Sequence, residues 1–244
     1  MGHQRSPWIL PLPAATALLM AASQFVAGEV IGKSKNINGT TVEYRVVLPD
    51  RYDAAKAFPA VLAFPGGSQN MGIVEGMVEA NFRAEAQRRG YIVVIPAAPK
   101  GVLFFEGSER IFPEFLNRIL SDYKIQDGKF HIAGISNGGI SAFHIAASHP
   151  QYFLSVTGFP GYLIDPTPAR VNALSKMCIN MHVGELDSGW QEDMDAQAKQ
   201  FRAKGYTVRF TVEKGEGHVM RTLTGGGSAR LFNQFDEARQ GCAK

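Results

Sequence analysis

The chain has 244 residues, of which 45% are hydrophobic and 19% charged, and its formal net charge is +3. This length is enough for one full α/β core and too short for two comfortable domains. The basic residues are dispersed, with Arg88-Arg89 as the tightest cluster in the part expected to fold, whereas phosphate binding needs a stripe of such charges. We therefore expect a single domain over residues 29–244 and no nucleic-acid partner.

Residues 1–28 have a different composition from the rest. Arg5 supplies a positive start, and the run from Trp8 to Val26 carries no charge and is followed by small residues. This pattern predicts a signal peptide and a secreted or periplasmic protein. Pro11 and Pro13 interrupt the apolar run, so a membrane-retained anchor or an unprocessed arm is the alternative. Beyond this segment no apolar run is long enough to span a bilayer.

The two cysteines, Cys178 and Cys242, leave two interpretations open. In an exported chain they could form one bridge that ties down the C-terminus, and otherwise they are two free thiols. The sequence contains no C-x-x-C, no H-E-x-x-H and no carboxylate-rich loop. We therefore predict neither a metal site nor a cofactor.

The chain begins its folded part with extended segments. Val30–Ser34 and Thr41–Leu48 flank Asn38-Gly39, a dipeptide typical of a hairpin turn. Next, Pro59–Phe64 is short, wholly apolar and closed by glycines, which is typical of a central parallel strand buried on both faces.

Strand and helix patterns then alternate to the end of the chain. Strands are predicted at 91–95, 130–135, 153–158, 178–183 and 207–212, and helices at 74–89, 111–123, 138–149, 169–176, 191–204 and 229–239. Alternation of this kind requires right-handed crossovers. The predicted fold is α/β, a doubly wound and mostly parallel sheet with helices on both faces.

A glycine-flanked serine follows one of these strands. Asp127-Gly128 is predicted to turn the chain into that strand, and Ser136 then lies at the apex of a tight turn before a helix. A β-carbon two positions away on either side would clash, and Gly134 and Gly138 avoid that clash. The motif alone is a weak signal, and an ordinary Gly-Ser turn is the alternative. The strand before it and the helical run after it favour a nucleophile elbow.

Ligands of a doubly wound sheet collect at the carboxyl ends of its strands, so the residues that follow each strand are candidates for a site. The amides of Gly67 and Asn137 are placed to meet a developing oxyanion. Asp187 is the preferred acid, with Glu185 or Asp193 as alternatives. His218 lies between glycines in a compact loop and is the preferred base, with a surface position as the alternative.

The order Ser136, Asp187, His218, each at a strand end, together with Gly134–Gly138, resembles the α/β-hydrolase superfamily. Within it, Phe64–Gln69 and the run GISNGG are most similar to secreted esterases grouped with polyhydroxybutyrate depolymerases and feruloyl esterases. The resemblance covers about Thr41 to the C-terminus. Many members have His-Gly after the oxyanion strand, and here Pro65 takes the place of that histidine.

Several aromatic residues and histidines need an interpretation of their own. Phe104, Phe105 and Trp190 are candidates for a substrate pocket, although buried aromatic residues are common in any core. Four other histidines lie in or beside strands and the helix that follows the serine, and we interpret them as packed or capping residues: His131, His144, His149 and His182.

Together these patterns predict a secreted serine hydrolase that cleaves carboxylic esters through an acyl-enzyme. The stretch between Gly158 and Cys178 is too short for a large cap, so we expect an open cleft suited to bulky or polymeric esters. A serine peptidase of the prolyl-oligopeptidase kind is one alternative, because Gly184–Asp187, Trp190 and Gly217-His218 also resemble that branch. A non-catalytic binding module on the same scaffold is another. The sequence does not indicate the oligomeric state.

Overall fold

The computed structural model describes residues 1–2 and 28–242. The predicted signal peptide falls on residues 3–27, which lie outside the described residues, and so it stays a prediction. Within the described part of the chain, none of the helices has the length and apolar character needed to cross a membrane.

The described residues form one eight-stranded sheet with the order β1-β2-β4-β3-β5-β6-β7-β8. β1 pairs antiparallel with β2 and β2 with β4, whereas β3 to β8 run parallel to their neighbours. The strands are β1 (Val30–Ile37), β2 (Thr40–Val47), β3 (Phe58–Phe64), β4 (Ile92–Pro96), β5 (Ile125–Gly134), β6 (Phe153–Gly158), β7 (Cys178–Gly184) and β8 (Val208–Glu213).

Seven α-helices lie between the strands or after the last of them in the described region. They are α1 (Met71–Met77), α2 (Arg83–Arg89), α3 (Glu114–Asp122), α4 (Asn137–Ser148), α5 (Pro168–Ala173), α6 (Ser188–Ala203) and α7 (Ala229–Arg239). Apolar residues of α1, α2 and α7 belong to a buried cluster on one face of the sheet, and those of α3 to α6 belong to a second cluster on the other face. The predicted α/β fold, doubly wound and without a large cap, is confirmed.

The central strand β3 explains why the sheet is covered on both sides. Leu62 and Phe64 point into one buried cluster, whereas Val61 and Ala63 point into the other. Because consecutive side chains of a strand alternate between its faces, a wholly apolar strand needs helices on both.

Two predicted helices are divided in the structure. The run predicted at 74–89 consists of α1, a π-helix (Val78–Phe82) and α2. The run predicted at 111–123 is a 3₁₀ turn at Ser108–Ile111 followed by α3, with Pro113 between them. A proline lacks the N–H that would continue the helix and is best tolerated where a helix starts, so it separates the two pieces.

The predicted turn at Asp127-Gly128 lies inside β5 instead of before it. Both residues have positive φ, 58° and 62°, and the pairing of β5 with β3 shifts its register between Phe58 and Ala60. The strand is therefore bulged at this point and continues on both sides of the bulge.

Cys178 and Cys242 are joined in a disulfide with their Cα atoms 5.6 Å apart. The bond links the start of β7 to the chain that follows α7. Of the two interpretations that the sequence left open, the structure therefore shows the bridge.

Candidate active site

Ser136 occupies the sharp turn between β5 and α4. Its backbone has φ 57° and ψ −122°, and its N–H donates to the carbonyl of Pro160 at 2.8 Å. A β-carbon at Gly134 would overlap the carbonyl of Gly138, and one at Gly138 would overlap the carbonyls at the end of β3. A positive φ is energetically unfavourable for any residue that has a side chain. Here the strained turn exposes the serine hydroxyl at the edge of the sheet.

Three side chains far apart in sequence meet at this edge. His218 Nε2 lies 2.8 Å from Ser136 Oγ, and His218 Nδ1 lies 2.7 Å from Asp187 Oδ2. With the proton on Nδ1, the imidazole donates to the carboxylate and accepts from the hydroxyl. In this arrangement the imidazole is oriented to take the serine proton.

The loops after β7 and β8 bring the acid and the histidine together. Asp187 directly precedes α6, and its N–H donates to the carbonyl of Gly184 at 3.1 Å. The backbone of Leu186 donates to the carbonyl of Glu216 at 2.9 Å. A β-carbon at Gly184 would overlap the carbonyls of Glu216 and Gly217, so the glycine permits this close approach.

The two alternative acids have other partners. Glu185 Oε2 accepts from the N–H of Gly215 at 2.9 Å, and Asp193 Oδ2 accepts from the hydroxyl of Tyr162 at 3.1 Å. Of the three acids that the sequence offered, only Asp187 contacts the His218 ring through a hydrogen bond.

The two residues predicted to supply the oxyanion donors, Gly67 and Asn137, are in contact. Asn137 is the first residue of α4, and an N–H there has no acceptor within its own helix. Its side-chain Nδ2 donates to the carbonyl of Gly67 at 3.0 Å, which ties the loop after β3 to the start of α4. Gly67 has φ 55°, and the neighbouring Gly66 lies against Ser136.

Gln69 is a buried residue at this site that sequence reasoning did not identify. It is fully buried and has φ 54°. Its Nε2 donates to Ser141 Oγ at 2.9 Å, and that hydroxyl donates to the carbonyl of Asn137 at 2.8 Å. Its Oε1 accepts from the N–H of Phe104 at 3.2 Å. A buried amide with these partners fixes the loop after β3 against α4.

A cavity of about 500 Å³ opens beside Ser136, and none of the three aromatic residues predicted for a substrate pocket lines it. The interpretation of Phe104 as a pocket residue is wrong, because its side chain is fully buried against Phe64, with ring centroids 5.0 Å apart. Phe105 does not line the cavity beside Ser136. Trp190 packs its ring edge to face on His218, with centroids 5.1 Å apart, and so contacts the site without lining that cavity.

A second histidine and carboxylate meet just behind the loop that carries His218. His182 Nδ1 lies 3.0 Å from Glu213 Oε1, and Arg230 contacts both carboxylate oxygens at 2.7 and 2.8 Å. Burial alone would raise the pKa of Glu213, but hydrogen bonds and charge from His182 and Arg230 outweigh it and lower the pKa to about 2. Glu213 closes β8, so this cluster anchors the start of the His218 loop.

The other predicted structural histidines lie away from the serine hydroxyl. His131 is buried in β5, where its Nδ1 lies 2.8 Å from Ser155 Oγ. His144 Nδ1 lies 2.8 Å from Arg170 Nη2, and His149 ends α4. Within residues 28–242 no three histidine, cysteine or acidic side chains come together in a way that could hold a metal ion.

Comparison with known proteins places the chain in a family. The model of the Esterase family matches residues 108–232, just over half of the chain, and the match includes Ser136, Asp187 and His218. Dipeptidyl-peptidase 5 of Porphyromonas gingivalis is 28% identical in an alignment 140 residues long, which covers 52% of this chain and 20% of that protein. The chain thus spans about a fifth of the length of this curated relative.

Solved structures with the same fold include three esterases or related hydrolases. A thermostable esterase has a TM-score of 0.64 at 17% identity over 88% of this chain and 62% of its own. S-formylglutathione hydrolase of Agrobacterium tumefaciens has a TM-score of 0.64 at 15% identity, and the match covers 90% of this chain and 99% of that protein. A feruloyl esterase module of Clostridium thermocellum has a TM-score of 0.63 at 16% identity, and the match covers 89% of this chain and 91% of that module. The chain belongs to the Esterase family, and its fold is the α/β-hydrolase fold.

Proposed function

We propose that the protein is an exported serine hydrolase that cleaves carboxylic esters through an acyl-enzyme on Ser136. We base the proposal on one observation above all, the continuous hydrogen-bonded line from Asp187 through His218 to the Ser136 hydroxyl, with distances of 2.7 and 2.8 Å. A serine hydroxyl is hardly ionised at neutral pH, so attack on an acyl carbon needs a base at this distance.

The proposed reaction has two halves. As Ser136 Oγ attacks the acyl carbon, His218 Nε2 accepts the hydroxyl proton, and the amides of Gly67 and Asn137 donate to the oxygen that becomes negative. His218 then returns the proton to the departing alcohol, and the acyl group stays on the serine. Water then attacks the acyl carbon while His218 accepts its proton, and the bond to Ser136 Oγ breaks as His218 returns that proton to the serine, which releases the acid. Asp187 orients the ring and stabilises its charged form, and one oxyanion donor is worth about 3 kcal/mol of barrier.

We further propose that the substrates are bulky or polymeric esters. The segment between β6 and β7 contains only the short helix α5, which leaves Ser136 and His218 partly exposed. If small soluble esters of different kinds are turned over at comparable rates and no polymer or cell-wall ester is cleaved, this part of the proposal is contradicted.

Export is supported by two features of the chain. The charge pattern of residues 1–28 is that of a signal peptide, and the disulfide between Cys178 and Cys242 is of a kind that persists in oxidising compartments. We therefore propose a secreted or periplasmic location, which fractionation of cells expressing the full chain would test.

The experiment for the reaction itself is ester turnover by the wild type and Ser136→Ala. We expect turnover of an aryl ester to fall by several orders of magnitude in the variant. Ser148→Ala is the matched control, because Ser148 lies on the same helix, is exposed and only donates to the carbonyl of His144. An unchanged Ser136→Ala enzyme would refute the proposal.

A peptidase activity is the second candidate, favoured by the sequence similarity to dipeptidyl-peptidase 5. An amide has a poorer leaving group than an ester, so the two activities separate clearly on matched substrates. We expect hydrolysis of an aryl ester and little or none of a dipeptidyl anilide. The reverse ratio would favour the peptidase.

A further inference from the structure

A cavity of about 500 Å³ opens beside the Ser136 hydroxyl. Helix α1 and the π-helix form one wall, and the chain that follows His218 forms another. The lining residues on these two walls are Ile73, Gly76, Met77, Ala80 and Asn81 on the first, and Val219, Met220 and Thr224 on the second. None of the side chains that line the cavity is an aspartate, glutamate, lysine or arginine.

The charge-free lining restricts what the cavity can hold. A charged group placed there would lose water without gaining an ionic partner, which is strongly unfavourable. The polar side chains of the lining are Ser136 and His218, which belong to the proposed reaction, and Asn81 and Thr224. Asn81 Nδ2 already donates to the carbonyl of Leu223 at 2.9 Å, which joins the two walls. The space next to the serine therefore suits an uncharged, mostly apolar group.

Gly76 is unexpected in the helical wall. Glycine inside a helix is about 1 kcal/mol less favourable than alanine. Its φ is not in the left-handed region, and a β-carbon built at Gly76 meets no atom within 4 Å. Neither the backbone conformation nor tight packing therefore requires a glycine at this position.

The spacing of the wall residues shows what the missing side chain does. Ile73 lies three and four residues before Gly76 and Met77, and Ala80 lies four and three residues after them, so the four residues share one face of the helical segment. Ile73 and Met77 are large, whereas Gly76 and Ala80 are the two small members. The small pair leaves a notch in the wall, and a side chain at 76 would project into the cavity.

We propose that Gly76 is a specificity-determining residue, which sets the depth of an apolar subsite for one substituent of the ester, either its acyl chain or its alcohol. This inference rests on the proposed function, because the subsite serves an ester bound at Ser136. The preferred substrates are then esters with a medium-length aliphatic or aromatic group on one side of the ester bond.

The test compares Gly76→Leu and Gly76→Ala with the wild type on two substrate series. One series varies the acyl chain of p-nitrophenyl esters from acetyl to octanoyl, and the other varies the alcohol of acetate esters from ethyl to octyl. We expect the ratio of long-chain to short-chain kcat/KM to fall about tenfold or more in Gly76→Leu and less in Gly76→Ala, in one of the two series. The responding series identifies the substituent that occupies the subsite.

Stability provides the second readout. Leucine and alanine are better helix formers than glycine, so both variants should keep or raise the melting temperature. A fall in the chain-length ratio without a fall in melting temperature cannot come from misfolding. Gly72→Leu is the matched control, because Gly72 lies on the same helix but does not line the cavity. It should leave the ratio unchanged.

Two results would overturn the inference in distinguishable ways. Unchanged ratios in both series for Gly76→Leu, or an equal change in Gly72→Leu, would mean that the notch does not hold the substrate. Absence of all ester turnover in the wild type, with no fluorophosphonate adduct on Ser136, would remove the proposed function and the subsite together.

Discussion

The described part of the chain contains two histidine–carboxylate pairs of similar geometry, and their surroundings differ. In the pair His218–Asp187 the side chains are 39% and 15% exposed, and the free ring nitrogen reaches a serine hydroxyl. In the pair His182–Glu213 they are 1% and 6% exposed. The second ring nitrogen of His182 contacts the side chain of Gln234, and Arg230 contacts the carboxylate.

The difference shows that the pairing alone does not make a catalytic group. A base needs a proton donor on its free nitrogen and access for a substrate, and only His218 has both in the described residues. The pair His182–Glu213, here called the inner pair, instead holds β7, β8 and α7 together beneath the loop that presents His218. The pair His218–Asp187 carries the proposed chemistry, and the inner pair stabilises the start of the loop that holds His218.

The largest effects are expected when each of the two histidines is removed in turn. In His218→Ala we expect kcat/KM for an aryl ester to fall about 10⁴-fold, or about 5 kcal/mol of barrier, with little change in melting temperature. In His182→Ala we expect the melting temperature to fall and the folded enzyme to keep most of its activity. Kinetics and thermal unfolding of both variants measure this, and equal losses of activity would contradict it.

Removal of the inner carboxylate should produce the next largest effect. Glu213→Ala leaves His182, Thr222 and Arg230 without their acceptor, and we expect a loss of about 3 kcal/mol in the free energy of unfolding. Urea unfolding at pH 7 measures it. A loss below about 1 kcal/mol would show that the cluster does not anchor the loop.

The same variant has a defined pH dependence. The folded-state pKa of Glu213 is about 2, below the ordinary value of 4.5, so the folded protein binds the proton less readily than the unfolded chain. The stabilisation by this group is therefore complete above about pH 5 and is lost as pH falls through 2. We expect the difference between wild type and Glu213→Ala to shrink over this acid range.

A smaller effect is expected at the link between Gln69 and α4. Ser141→Ala removes the hydroxyl that joins Gln69 to the carbonyl of Asn137, and we expect kcat to fall about tenfold with KM little changed, because the proposed oxyanion donors lose their support. Ser148→Ala is the control, since Ser148 makes the same bond to the carbonyl four residues earlier but receives none from a glutamine. Equal effects of the two variants would contradict a positioning role.

The smallest predicted effect concerns a third histidine, which is buried without a charged partner in contact. Burial, and secondarily the charge of Arg239, lowers the pKa of His131 to about 3. Below about pH 6.5 the unfolded chain binds a proton there that the folded protein does not, so stability falls as pH falls.

We expect this group to remove about 1 kcal/mol of unfolding free energy between pH 6.5 and 5.5. The paired variant His131→Phe with Ser155→Ala removes the titrating ring and its hydroxyl partner together, and its stability should be flatter over this interval. Urea unfolding at several pH values gives the comparison. Parallel curves for wild type and variant would contradict the assignment.

Much of the fold was predictable because its signals are local. Apolar runs such as the one in β3, the Asn38-Gly39 hairpin and the glycines at 134 and 138 each encode a structure within a few residues. Ser136, Asp187 and His218 each follow a predicted strand in the sequence. A parallel sheet aligns the carboxyl ends of its strands at one edge, so the three residues were expected to lie close together.

The rest depends on contacts between distant residues. In the sequence, Phe104 and Trp190 are both aromatic residues in irregular or polar segments. Phe104 is a core residue because it packs against Phe64, which lies far from it in the sequence. Gln69 and Glu213 look like ordinary polar residues near glycines, and their partners lie far along the chain. No local pattern distinguishes a buried hydrogen-bonding residue of this kind from a solvated one.

The most direct test of the central claim is to locate the nucleophile by covalent labelling. The full chain is treated with a fluorophosphonate, and tandem mass spectrometry identifies the modified residue. We expect one adduct, on Ser136, in the wild type, and none in Ser136→Ala. No adduct in the folded wild type, or an adduct on another side chain with Ser136 unmodified, would contradict the account.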